Sequence, residues 1–222
     1  MPDCQLAREH QLARNRHPQG GARANVEGNC TKTHPPRESP HPIAKHMTAT
    51  PPSPSPVSVR IAVLTVSDTR TDATDKSGRL LVELLQAAGH HLSAKAIAPD
   101  DIYQIRAIVS AWIADETVQV ILTAGGTGVT GRDCTPEAIA PLLDKTIPGF
   151  GEVFRLLSFQ EIGTSTVQSR AIAGVANGTY VFCLPGSSGA CRTGWEKIVK
   201  DQLDSNHRPC NFVELAPRLR ER

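Results

Sequence analysis

The stretch Leu122–Ala138, LTAGGTGVTGRDCTPEA, decides how this chain folds. It closes an apolar run, Val118, Val120, Ile121 and Leu122, that reads as a buried strand. Gly125, Gly126 and Gly128 follow, then Arg132 and Asp133, then Thr135-Pro136-Glu137, which predicts a new helix. Glycines let a backbone approach a ligand closely and adopt positive φ. Exposed N–H groups beside a helix start attract anions, so the pattern suits a phosphate-bearing ligand. It matches neither the dinucleotide fingerprint nor the Walker lysine loop, and a tight strand-to-helix turn would also use glycines. Asp133 is what a plain turn does not require. A carboxylate beside a phosphate repels it unless a cation such as Mg2+ sits between them.

Working outward, Val59–Val66 is a continuous apolar run, suited to a strand covered on both faces, with the polar loop Ser67–Arg70 at its end. Asp75 predicts a helix cap, with Leu80, Leu81, Leu84 and Leu85 on the buried face and Gly89 as the stop. His91–Ile97 reads as a strand, and Asp101 caps a predicted helix from Ile102 to Ala114 with Ile105, Ile108, Val109 and Trp112 as its stripe. Helices are expected over Pro136–Leu143 and from Pro148. Ser165–Arg170 reads as a short helix or loop. Asn177-Gly178 joins two apolar runs as a hairpin turn, and Pro185–Gly189 leads into a last helix ending near Leu203. The alternation predicts an α/β fold, a three-layer α/β/α sandwich with a mostly parallel sheet plus a β-hairpin. Ligands in such sheets gather beyond the carboxyl ends of the strands. Ser67–Arg70, Gly125–Asp133 and Pro185–Gly189 are all expected there.

Composition divides the chain. Residues 1–56 hold ten of the seventeen prolines, five of the eight histidines and no aromatic residue, which predicts a disordered extension. Met47 is a candidate start. The histidines there, at irregular spacing, do not resemble a compact ligand set. Residues 1–46 carry seven Lys/Arg against four Asp/Glu, so the remainder carries 17 against 18 and the mild basicity belongs to the extension. That gives no support for nucleic-acid binding. Residues 57–222 are expected to form one domain with a short C-terminal tail. No stretch reads as apolar enough to span a membrane, and the N-terminal residues, basic but without an apolar centre, do not read as a secretory signal. The six scattered cysteines form no CxxC pair, consistent with free thiols and a cytoplasmic setting.

Asp100 and Asp133 fall on one predicted rim, where paired carboxylates suit magnesium against a nucleoside triphosphate. Helix capping for Asp100 and an ion pair with Arg132 for Asp133 are the structural alternatives. Arg170 suits a bidentate phosphate contact or an ordinary surface position, and Ser187 a phosphate contact or an N-cap. No Ser-His-Asp arrangement assembles.

The segments TVSDTR, TAGGTGVTGRDCTPEA, PGFGEVFR, SR before AGVANGT, LPGSSGA and DQLDSNHRPCNF together resemble the MoaB/MogA family of molybdenum cofactor biosynthesis proteins, over Val59–Phe212. SAWIADETVQVILTAGGTG and FRLLSFQEIGTSTVQSRAIAGVANGT look most like the MoaB branch. The resemblance implies a molybdopterin-binding domain that adenylylates molybdopterin with Mg2+ and ATP, releasing pyrophosphate. It implies Asp100 and Asp133 as the acidic residues around magnesium, and Ser67, Gly125, Gly126, Thr127 and Gly128 on the nucleotide side. Ser169, Arg170, Pro185, Gly186 and Ser187 would lie toward the pterin. It further implies a trimer or hexamer and other molybdenum cofactor biosynthesis proteins as partners. A non-catalytic pterin carrier and an oligomeric scaffold are the alternatives on the same fold.

Overall fold

The computed structural model describes residues 55–221. Most of the expected extension, with Met47 and its histidines, lies outside the described residues.

The first βα unit is β1 (Arg60–Val66) and α1 (Lys76–Ala87), capped by the Asp75 carboxylate, which accepts from the Gly78 N–H. β2 (His91–Ala98) and α2 (Ile102–Ala114) follow, and Asp101 accepts from the N–H groups of Tyr103 and Gln104. β3 (Val120–Ala124) leads through the glycine turn to α3 (Thr135–Ile139). That helix is shorter than expected and tightens into a 3₁₀ turn at Ala140–Leu142, because Pro141 has no N–H to continue the ladder. β4 (Lys145–Thr146) is a two-residue strand too short and polar to be legible in the sequence. α4 (Pro148–Ile162) runs into a 3₁₀ turn over Gly163–Gln168. β5 (Ile172–Ala176) and β6 (Thr179–Leu184) form the expected hairpin, with Asn177 and Gly178 both at positive φ. α5 (Ser188–Gly194) continues through a π-helical stretch (Trp195–Val199) into α6 (Lys200–Leu203), and α7 (Phe212–Leu215) packs near the chain end.

The sheet order is β2-β1-β3-β6-β5-β4. The pairs β1–β2, β1–β3 and β3–β6 are parallel, while β5 is antiparallel to both neighbours. Alternation along β1 builds two cores. Ile61 and Val63 face Leu81, Leu85, Phe150, Phe154 and Trp195, from α1, α4 and the π-helical stretch after α5. Ala62, Leu64 and Val66 face Ile105, Val109, Ala138 and Ile139, from α2 and α3. Helices therefore cover both faces of a mixed, mostly parallel sheet, as expected. No helix among the described residues is long and apolar enough to cross a membrane.

Candidate active site

Because β1, β3 and β6 are parallel neighbours, the loops after them meet on one rim. The glycine turn is held from several sides. Gly125 donates its N–H to the Leu184 carbonyl at 3.0 Å, and Thr135 Oγ1 donates back to the Gly125 carbonyl at 2.8 Å. Gly125 and Gly126 sit at φ +117° and +63°. A Cβ on Gly125 would lie 2.1 Å from the Val66 carbonyl oxygen, and one on Gly126 would lie 2.9 Å from Asp100 Oδ1. Only glycine fits either position, and the tightness brings the loop backbone beside Asp100.

Behind the turn, Asp133 Oδ1 accepts from the Gly128 N–H at 3.0 Å, and Oδ2 accepts from the N–H and hydroxyl of Thr130 at 2.9 and 2.6 Å. Burial works against the Asp133 charge, but these bonds outweigh it and hold the carboxyl below its usual range. Asp100 moves the other way. Burial pushes its carboxyl up, and the charges of Asp68 and Asp133 add to the effect. The ion pair of Arg132 with Asp133, the structural alternative for that carboxylate, does not form, since Arg132 pairs with Asp68.

The loops enclose a cleft of about 490 Å³. Ser67, Asp100, Gly125, Gly126, Thr127, Gly128, Asp133, Ser169, Pro185, Gly186 and Ser187 all line it. Ser187 also caps α5, accepting from the Ala190 N–H. Arg170 is the exception. It does not line this cleft and clamps the loop from behind, with Nε donating to the Gly128 carbonyl at 2.6 Å and NH2 to the Asp133 carbonyl at 3.0 Å. Its remaining partner is the Glu137 carboxylate. The guanidinium expected on a substrate phosphate is thus committed to the backbone.

Sequence reasoning missed the far wall, where Phe154, Ser158 and Ile162 of α4 meet Thr166. A serine four residues from a buried phenylalanine was its one signal. It placed the loop Ser67–Arg70 on the rim but gave no role to Arg70, which lines the cleft beside Gly186. His90 is buried edge-on against Trp195, away from the cleft lining.

Two observations bear on which groups the cleft suits. Ser169 Oγ is buried with no hydrogen-bond partner, an orphaned polar atom of the kind a ligand satisfies. Asp100 is faced by two further carboxylates, and its raised affinity for a proton marks a place where a cation is favourable. No group of three or more His, Cys, Asp or Glu side chains is arranged to hold a metal among the described residues. Magnesium bound through one or two carboxylates and a substrate's phosphates needs none.

Comparison with known proteins agrees with this architecture. Residues 62–205 match the family model described as a probable molybdopterin binding domain. The chain is 58% identical over 156 residues to molybdenum cofactor biosynthesis protein B of Escherichia coli K12, covering 70% of this chain and 92% of that protein. A crystal structure of a molybdenum cofactor biosynthesis protein B superposes with a TM-score of 0.66 at 50% identity, covering 68% of this chain and 94% of the other. The tungsten cofactor synthesizing protein MoaB from Pyrococcus furiosus gives 0.57 at 39% identity, covering 67% and 94%. The chain therefore belongs to the MoaB/MogA family of molybdenum cofactor biosynthesis proteins, in its MoaB branch.

Proposed function

We propose that this cleft serves molybdenum cofactor biosynthesis by adenylylating molybdopterin with Mg2+ and ATP. The observation that carries the reading is that one cleft joins the glycine turn and Asp100 at one wall to the unpartnered Ser169 hydroxyl at another. Two substrates can meet in such a space. Within the turn the N–H groups of Gly125 and Gly128 are taken by Leu184 and Asp133, so those of Gly126 and Thr127 are the ones offered to nucleotide phosphates, with Ser67 also on the cleft. Asp100, with Asp133 behind it, would hold the magnesium ion, which supplies charge neutralisation along the triphosphate. Ser169, Pro185, Gly186 and Ser187 bound the space left for the pterin.

In the transfer, an oxygen of the molybdopterin phosphate forms a bond to the α-phosphorus of ATP. The bond from that phosphorus to the bridging oxygen breaks, and its electron pair leaves with pyrophosphate. The attacking oxygen is already ionised near neutral pH, so no proton needs to be removed. Alignment and charge neutralisation suffice, which fits a cleft lined by no histidine and no cysteine.

Self-association into a trimer or hexamer would cover Val153, Leu156, Phe159 and Ile162, an exposed apolar stripe along α4. Association with other cofactor biosynthesis proteins and a cytoplasmic setting belong to the same reading, which the free, buried thiols of Cys183 and Cys191 suit. A binding protein without turnover is the second reading. It is favoured by the three hydrogen bonds that already occupy Asp133. Incubation with molybdopterin, ATP and magnesium separates the two. Pyrophosphate release supports catalysis, and pterin binding without pyrophosphate supports the carrier.

A further inference from the structure

Two arginines line the cleft, and they differ in what neutralises them. Arg132 is fully paired, since both prongs of its guanidinium meet the Asp68 carboxylate. Arg70 is not. Its nearest carboxylate is Asp75, at 3.7 Å, and that group is already matched by Lys95 Nζ at 3.0 Å. Asp75 has no exposed side-chain surface, and it also accepts from Thr65 Oγ1 and the Gly78 N–H. Lys95 Nζ also meets Asp72, at 3.2 Å, a carboxylate that is 92% exposed. Lys95 thus holds the closer carboxylate contacts of this cluster, and Arg70, whose own contact is the longest, is the member that reaches the cleft.

Arg70 is also fixed in direction. NH1 donates to the Ser77 hydroxyl, and NH2 donates to the Gly186 carbonyl at 2.8 Å. These bonds tie the loop after β1 to the turn after β6 and leave the other guanidinium donors without a partner among the described residues. A half-buried, pre-oriented guanidinium with spare donors and only a distant carboxylate is the geometry that takes an oxyanion in two-pronged fashion. Such a group costs little reorganisation when the ligand arrives.

We propose that Arg70 is the anchor for a phosphate group of the bound ligand, beside Gly186 in the cleft. This rests on reading the cleft as a site for phosphorylated substrates. The phosphate belongs either to the nucleotide or to the phosphorylated pterin. Arg170, the arginine that sequence alone favours for this task, is committed to the loop backbone, so Arg70 takes the role.

Calorimetric titration of the full chain with Mg-ATP and, separately, with molybdopterin tests this, using Arg70→Gln and Arg70→Lys. Arg70→Gln should weaken one of the two ligands by about tenfold or more and leave the other within about twofold. The affected ligand identifies the phosphate. The salt dependence of that ligand's affinity should fall, and Arg70→Lys should recover part of the loss by restoring the charge. Unchanged affinity for both ligands overturns the proposal. So does an equal weakening of both that Arg70→Lys does not relieve, since that is the mark of a structural brace. If Arg70→Gln does not fold, the comparison of Arg70→Lys with the parent decides, with weakening of one ligand expected and none overturning. Should the parent bind both ligands without releasing pyrophosphate, only the adenylylation reading fails. A parent that binds neither overturns the anchor.

Discussion

Arg132 and Asp68, from the turn after β3 and the loop after β1, meet in a two-pronged ion pair at 2.9 and 2.8 Å. The same Asp68 Oδ1 accepts from the Asp100 N–H at 3.1 Å, so one carboxylate ties together three loops of the cleft rim. Both side chains are exposed, which limits what the pair contributes to stability. Asp68→Asn should leave the urea midpoint of unfolding nearly unchanged. A marked fall would mean that the rim is held chiefly by this pair.

Asp100 binds its proton more tightly in the folded chain than in the unfolded one, through burial and then the charges of Asp68 and Asp133. Its ionisation therefore opposes folding, and stability falls as pH rises through the interval between the usual carboxylate value and the raised one. Asp100→Asn should raise the unfolding midpoint at neutral pH, and the gain should vanish below about pH 4, where both forms are neutral. The same variant should lose pyrophosphate release. Thermal melts at pH 7 and pH 3.5 with the activity assay check both parts, and an unchanged rate would remove Asp100 from the machinery.

Asp133→Asn acts differently, because an amide NH2 would face the N–H donors that the carboxylate now accepts. Turnover should drop by about a hundredfold or more, with some loss of stability. Chelating magnesium with EDTA should abolish the parent's pyrophosphate release, and turnover that survives chelation would contradict the assignment of a cation beside Asp100.

Asp75 presents the opposite sign to Asp100. Burial disfavours its charge, yet the bonds from Gly78, Lys95 and Thr65 hold its carboxyl below the usual range. It contributes stability that is present above about pH 4 and is lost as pH falls through the depressed value. Asp75→Ala should cost about 3–5 kcal/mol at neutral pH, because Lys95 and Arg70 lose their buried counter-charge. Pairing it with Lys95→Met should recover part of that loss. Urea denaturation of the single and double variants measures the coupling.

Gly126→Ala places a methyl 2.4 Å from Thr135 Oγ1 and 2.9 Å from Asp100 Oδ1, at a φ of +63°. A destabilisation of about 1–3 kcal/mol should accompany a loss of nucleotide affinity, seen by titration with Mg-ATP. Gly131→Ala, whose Cβ meets nothing within 4 Å, serves as the control.

Most of the fold was legible in the chain because local signals set it. Asp101 and Ala114 bound a helix whose apolar stripe recurs at helical spacing, and Asn177-Gly178 demands a turn with positive φ. The glycine turn and Asp100 could likewise be read as one rim, since parallel strands deliver their ends to the same side. What the chain did not disclose was the pairing of charges. Arg132 meets Asp68, 64 positions away, rather than its neighbour, and Arg170 holds a loop more than 40 positions earlier. Which cation is neutralised, and which is left facing the cleft, depends on distances between segments that only packing brings together. Sequence determined the elements, their order and the residue types at the rim. The tertiary structure decided that Arg70, and not Arg170, presents guanidinium donors to the cleft, because Lys95 holds the closer contact to Asp75 while Arg170 is held by Gly128, Asp133 and Glu137.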